Sequence, residues 1–315
     1  IYWAIRRPDG YVGKPPAAGT DAFAMDTGNS SSTIPTFDSG IPVDFALLKR
    51  PAAVSNFLAQ SRLSGDNYLL TNGTQAEVSH SAFISWDSNA GWAKQWDNLR
   101  FSWMWKRGAG FDVVAYKGNG TAGHGIPHSL SKTPEMMWVK NRDSAENWRV
   151  YHKGCNGGSN PEQYAPWLNL NYAEQDNNLI WNDTAPTSTH FTLGTDNNVN
   201  SNNDNYIAML FASVDGISKC GYYTGTGVSG NNTVTTGFAP RFVIIKNTSR
   251  ASTSWVVLDT TRGWTSGNDK SLELNTTDAE ETYDYADPTS TGFTLVETGN
   301  WTNRANDKYI YYAHA

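Results

Sequence analysis

Short apolar runs bounded by charges or turn residues recur along the whole chain. Arg241-Phe-Val-Ile-Ile-Lys246 sets four consecutive apolar residues between two cations, the pattern of a strand covered on both faces. Trp255-Val-Val-Leu-Asp259 and Gly292-Phe-Thr-Leu-Val296 are short and rich in β-branched or aromatic residues, as strands prefer. Clusters of Gly, Asn, Asp and Pro at 224–232, 263–269 and 287–292 supply the positive or fixed backbone dihedrals of the turns between them. Helical periodicity is weak. Its best candidate is 51–63, where Val54, Phe57 and Leu58 could share a face. The corresponding segments 147–152 and 254–259 read as strands, so a loop and a strand are expected there too.

The pattern repeats. Pro186-Thr-Ser-Thr-His-Phe-Thr-Leu193 and Pro288-Thr-Ser-Thr-Gly-Phe-Thr-Leu295 differ at one position, which marks a duplicated unit. A strand-like run ending in lysine appears at Phe45 to Lys49, Met136 to Lys140 and Phe242 to Lys246. A hydrophobic run, an Asn and an Ala-Glu pair follow at Leu69 to Glu77, Leu168 to Glu174 and Leu272 to Glu280. Each unit closes on an aromatic strand, at Leu99 to Trp105, Tyr206 to Phe211 and Tyr309 to Tyr312. With about seven strand candidates per unit, the fold class expected is all-β: three tandem antiparallel β-sandwich domains, jelly-roll-like, each filling its own interior. Their boundaries are 11–109, 110–215 and 216–315. Ile1-Tyr-Trp-Ala4 matches a closing strand, so 1–10 reads as the last strand of a preceding unit with its linker. The chain is thus expected to start within a longer protein and to end at a true carboxyl terminus.

Composition narrows the classes. The net charge of −6 and the lack of a Lys/Arg block oppose nucleic-acid binding, which needs clustered cations to neutralise phosphates. No apolar run approaches the roughly 20 residues that cross a bilayer as a helix, so no membrane insertion is expected. Cys155 and Cys220 fall at unrelated places in their units; free thiols are expected, not a disulfide framework.

Candidate chemistry is sparse. His124 and His128 flank a short segment without a third ligand at metal spacing, and read as exposed loop residues. Asp196, Asn198, Asn200 and Asp204 carry oxygens that could wrap a calcium ion. Ser201 and Ile207 stand where an EF-hand has its sixth-position Gly and twelfth-position Glu, so an Asn-rich hairpin loop without a cofactor is expected. Glu77, Glu174 and Glu280 recur with the repeat, and read as caps or turn partners before they read as the carboxylate pair of a glycosidase. Trp138, Trp148 and Trp255 lie in strand-like runs and belong to the core. Trp92, Trp181, Trp264 and Trp301 sit among polar loop residues, where an indole face can stack on a sugar ring; they are the candidate glycan-binding residues.

Phe238-Ala-Pro-Arg-Phe-Val-Ile-Ile-Lys246, Trp255, Thr261-Arg-Gly-Trp264, Leu272 to Glu280, Gly292-Phe-Thr-Leu295 and Tyr309-Ile-Tyr-Tyr312 together resemble a repeated domain of virion structural proteins of tailed bacteriophages, especially phages of marine bacteria. Residues 110–315 match well and the first unit departs in its loops. The resemblance implies a β-sandwich module strung along a fibre, spike or other surface appendage of the virion. It carries over no catalytic residue. The expected function is that of a non-enzymatic, extracellular virion protein that contacts other virion proteins and, through its loops, host-surface polysaccharide. A homo-oligomer, a trimer for such appendages, is an expectation of symmetry. A secreted bacterial adhesin and a polysaccharide depolymerase are the alternatives.

Overall fold

The computed structural model describes residues 16–108 and 110–315. The chain there is almost entirely strand and turn, with only single-turn helices such as Asn178–Trp181 and Asn197–Asn200. The strand and linker expected over 1–10 lie outside the described residues.

Three antiparallel sheets follow one plan. In the first, the spatial order is Phe23–Thr27, Phe101–Trp105, Phe45–Lys49 and Leu58–Ser61, extended by Asn67–Leu70 and Val78–Ser79. The second runs Phe111–Lys117, Asn205–Phe211, Met136–Asn141 and Arg149–His152. The third runs Ser218–Thr224, Lys308–His314, Phe242–Asn247 and Val256–Asp259, extended by Asp269–Glu273 and Glu281–Tyr283. The strand that opens each unit pairs with the strand that closes it, and the strand bearing the repeated lysine is paired on both edges. A smaller sheet makes a second layer: Phe37–Asp38 with Gly91–Trp92, His124–Pro127 with His190–Leu193, and Gly292–Leu295 between Asn232–Thr235 and Ala286–Thr289. Each unit is therefore a sandwich whose second layer has two or three strands, fewer than in a full jelly roll.

Side chains alternate between the faces of a strand. Ala46 and Leu48 turn toward their own small sheet and pack with Phe37 and Trp92; Met137 and Val139 do the same in the second unit, and Val243 and Ile245 in the third. The other face is apolar as well. Phe45 and Leu47, Met136 and Trp138, and Phe242 and Ile244 all enter one further core, to which every unit contributes. The expectation of three separate interiors is thus corrected to three private cores and a fourth held in common. A sheet apolar on both faces has one left over after its small sheet is in place, and three such faces bury one another. Rings meet across unit boundaries there: Phe23 with Phe242 at 5.1 Å, Phe45 with Trp138 at 6.5 Å and Phe211 with Tyr312 at 4.9 Å between centroids. The units form a closed ring about a pseudo-three-fold axis, and not the extended string that the resemblance implied.

The repeated landmarks build the seams of this ring. Backbone N–H groups of Glu77, Glu174 and Glu280 donate to Arg142 O, Thr248 O and Pro51 O at 2.8, 2.9 and 2.7 Å, so the first unit grips the second, the second the third, and the third the first. These glutamates are structural ties between neighbours. The repeated Asn has a matching task. Oδ1 of Asn72, Asn169 and Asn275 accepts the backbone N–H of Phe57, Trp148 and Trp255, at 2.8, 3.0 and 2.9 Å. Those three residues are the ones that fill the shared core beside the lysines. Trp148 Nε1 then donates to Leu70 O in the first unit at 2.7 Å, and Trp255 Nε1 to Trp167 O in the second at 2.8 Å. Phe57 has no ring donor, and at that seam the Thr71 hydroxyl donates to Leu274 O at 2.6 Å instead.

His152 ties the second unit to the third from the far end of the same core. It is fully buried, its Nε2 donates to Tyr311 O at 3.1 Å, and its Nδ1 accepts from Gly154 N at 2.9 Å. Both nitrogens are engaged by the neutral ring, and burial pushes the pKa down to about 3. The unfolded chain takes up a proton near pH 6.5 that the folded chain refuses. Stability from this residue is therefore intact above pH 6.5 and is lost as pH falls toward 3, at about 1.4 kcal/mol per pH unit. Gln can make both hydrogen bonds without titrating. The stability difference between wild type and His152→Gln, from urea unfolding, is expected to shift against wild type by about 2 kcal/mol between pH 6.5 and 5; a pH-independent difference would show that the imidazole titrates normally.

Candidate functional site

Where each closing strand meets the lysine-bearing strand, the second and third units build the same polar clamp. Asn141 Nδ2 donates to Asp204 Oδ2 at 2.8 Å and to the Tyr206 hydroxyl at 3.0 Å. Asn247 Nδ2 donates to Asp307 Oδ2 at 3.0 Å and to the Tyr309 hydroxyl at 3.1 Å. Each tyrosine in turn donates to a backbone carbonyl, Asn197 O at 2.7 Å and Asn300 O at 3.2 Å. Donors and acceptors match, and both clamps are closed.

The first unit breaks the rule. Lys49 pairs with Phe101 as Lys140 pairs with Ile207 and Lys246 with Ile310. That register puts Arg50 in the place of the clamp Asn, Arg100 in the place of Tyr and Asn98 in the place of Asp. Two cations replace a neutral donor and a phenol, and the carboxylate is gone. The Arg100 guanidinium lies over the Trp96 ring at 4.5 Å, and its Nε is buried without a hydrogen-bond partner. Burial holds its pKa below the usual arginine value, Asp97 opposes that shift and the nearby Arg50 adds to it. Among the described residues, no hydrogen bond or ion pair engages the Arg50 guanidinium.

An open groove of about 360 Å³ lies beside this site, on the seam where the third unit meets the first. Pro51, Ala52 and Leu99 give it an apolar wall, and Arg100, Arg262 and Lys270 give it positive charge. Glu280 is the one carboxylate among the described residues that line it. It holds Lys270 at 3.0 Å and reaches Arg262 at 3.5 Å, while Arg262 is bound more closely to the buried Asp259 at 2.6 Å. The equivalent Glu77 is committed to Arg142, which grips it through two hydrogen bonds of 2.8 and 3.0 Å.

The tryptophans expected to face a glycan mostly do not. Trp92, Trp181 and Trp264 are buried, which corrects that expectation for these three. Trp92 stacks on Phe37 and Trp86 at 5.6 and 5.1 Å and donates to Ser102 Oγ at 3.0 Å. Trp181 ends a single-turn helix and fills the private core of the second unit. Trp264 donates to Ala286 O at 2.6 Å under the small sheet of the third. Trp301 is half-buried against that same core. Their neighbours are polar because the backbone turns there, as at Asn182 and Asp183 with φ of 53° and 45°, while the rings close the ends of the sandwiches.

The asparagine-rich segment is a capped helical turn, and not a hairpin loop. Asp196 Oδ1 accepts from Asn198 N at 2.8 Å. The Asn200 amide is spent on Gly194 O and Thr121 O at 2.7 and 3.0 Å, and Asp204 belongs to the clamp. Their oxygens are engaged separately and do not converge on one point; among the described residues no group of three or more His, Cys, Asp or Glu side chains is placed to hold a metal ion. His124 lies in a strand instead of a loop, half-buried, its Nδ1 3.0 Å from Asn200 Oδ1. His128 is also half-buried, its Nε2 3.1 Å from Thr187 O. Cys155 and Cys220 are free and buried. Sequence reasoning missed Arg50 and Arg100. The signal that finds them is a departure from the repeat: Asn98-Leu-Arg100 stands against Asp204-Asn-Tyr206 and Asp307-Lys-Tyr309.

Residues 59–315 match the family model described as a domain of unknown function (DUF7483), and the chain belongs to that family. The match runs through parts of all three units, and so follows the ring and not the single repeat. No curated protein and no solved structure matches the chain.

Proposed function

We propose that this member of the family is a non-enzymatic structural protein of a tailed-phage virion. In this reading it is a knob on a fibre or spike, with the groove between the third and first units available to host-surface glycans. The observation that carries the reading is the ring itself. Three copies of one sandwich bury a common core, so rigidity comes from packing between units, while the loops stay free to differ. A particle outside the cell benefits from such a fold, because neighbours share stability and constant scaffolds present variable loops. The ring also brings three like units around one axis within a single chain, which suits a three-fold appendage of other virion proteins.

A non-enzymatic role agrees with the placement of the carboxylates. Glycoside hydrolysis needs two across one cleft, whereas Glu77, Glu174 and Glu280 stand at three different seams. The test is quantitative mass spectrometry of purified particles. The chain is expected at fixed copy number per virion; recovery only as free protein in the medium would assign it to a secreted adhesin instead.

A further inference from the structure

We propose that the groove between the third and first units binds a carboxylate-bearing sugar, a uronic acid residue within an acidic polysaccharide. The inference rests on the glycan-attachment reading above and names its ligand class. The repeat supplies an internal control. Two of three equivalent positions carry a satisfied clamp of Asn, Tyr and a hydrogen-bonded Asp carboxylate, and the third carries Arg50 and Arg100 with no acid in the clamp and with Arg100 Nε unpartnered. Buried polar groups without partners are costly, and the repulsion between Arg50 and Arg100 adds to that cost, offset only in part by the field of Asp97. A bound oxyanion removes both costs. The planar guanidinium fits a carboxylate through two parallel hydrogen bonds, and that of Arg100 already rests over the Trp96 ring.

The rest of the groove selects a sugar in place of a bare anion. Pro51, Ala52 and Leu99 offer an apolar wall to the C–H face of a pyranose, while Asn98, Thr27 and Glu280 line the same groove and can bond its hydroxyls. The groove is open, so a residue inside a polymer can lie in it without a chain end. In a protein of net charge −6 this local excess of cations also draws an acidic chain to one seam.

The experiment is isothermal titration of the protein with a galacturonic acid hexamer, with cellohexaose as the neutral arm and sodium acetate as the bare-carboxylate arm. The hexamer is expected to bind at least tenfold more tightly than either arm. Arg100→Gln, in the groove lining, is expected to weaken it at least tenfold, and Arg50→Gln, beside the groove and acting through its charge on Arg100, about threefold, with circular dichroism unchanged. Lys132→Gln, on the surface of the second unit, is expected to leave it unaltered and serves as the control for general charge. Because Arg100→Gln risks a local change of fold, Arg50→Gln stands as an independent variant. Binding of cellohexaose as tight as that of the hexamer would overturn the acidic-sugar inference and keep the glycan reading. Acetate as tight as the hexamer, or full binding by both arginine variants, would overturn the site. No binding in any arm would overturn the glycan reading together with the inference.

Discussion

Replacing Trp148 by alanine is expected to lower the stability of the whole ring by about 3–5 kcal/mol, and not to loosen the second unit alone. The indole is fully buried in the shared core and donates to Leu70 O of the first unit at 2.7 Å. Truncation opens a cavity at a junction of units and takes the indole donor from that carbonyl, which keeps only the long 3.4 Å bond from Gly73 N; the lost hydrogen bond accounts for about 0.5–1.5 kcal/mol of the loss. Trp148→Phe keeps most of the volume and gives up only the donor, so it should cost no more than that smaller share. Trp255, which donates to Trp167 O, is expected to behave in the same way. A core shared by three units makes unfolding a single event. Midpoints from tryptophan fluorescence, far-UV circular dichroism and calorimetry should coincide for wild type and variant alike. An early transition confined to the second unit would return the molecule to a string of independent sandwiches.

The repeat was legible because its landmarks are the parts that every unit needs: the lysine-ended strand, the Asn that caps the neighbouring strand, and the Glu whose backbone grips the next unit. The shared core was not legible, for a physical reason. A run such as Phe242-Val-Ile-Ile reads as buried on both faces, but nothing in it distinguishes a face covered by its own small sheet from one covered by two other units. The tryptophans misled for a related reason. Loop composition reports backbone turns, and a large ring can leave a polar loop and point inward, as Trp264 does; Trp92 sits in a two-residue strand too short to stand out from its polar neighbours. Arg50 and Arg100 were readable only by comparing the copies position by position, since alone each is an ordinary exposed-looking cation. The lysines were read as the charged ends of strands, whereas all three are fully buried.

Those lysines lead to an unusual dependence on alkali. Lys49, Lys140 and Lys246 follow the alternation of Phe45 and Leu47, Met136 and Trp138, and Phe242 and Ile244, and so lie on the shared-core face of their strands. Their ammonium groups meet carbonyl and hydroxyl oxygens and no carboxylate: Ser55 O at 2.8 Å for Lys49, Asn141 O and Ser144 O at 2.6 and 3.3 Å for Lys140, and Asn247 O and Thr253 Oγ1 at 2.5 and 2.9 Å for Lys246. Burial without an ion-pair partner pushes their pKa values down to about 8, 8 and 7. The unfolded chain keeps these protons up to about pH 10.5, so the folded state binds fewer of them between its own pKa values and that limit. Stability therefore rises with pH from about 7 upward, by about 1.4 kcal/mol per pH unit for each lysine that has become neutral. The clean window closes near pH 8.5, where the thiols of the unfolded chain begin to ionise while burial holds Cys155 and Cys220 protonated in the fold. Lys246→Met keeps the long apolar stem and removes the titrating group, and Glu174, whose field supports the charge on Lys246, is left in place. The variant is expected to be at least as stable as wild type at pH 7, because wild type carries the cost of an ammonium group in an apolar layer. That advantage should shrink by about 1.4 kcal/mol per pH unit toward pH 8.5 as wild type sheds the proton. Urea unfolding of both proteins at pH 7, 7.5, 8 and 8.5 reads the slope directly. Parallel lines would mean that Lys246 stays charged in the folded ring, with water or an anion reaching it.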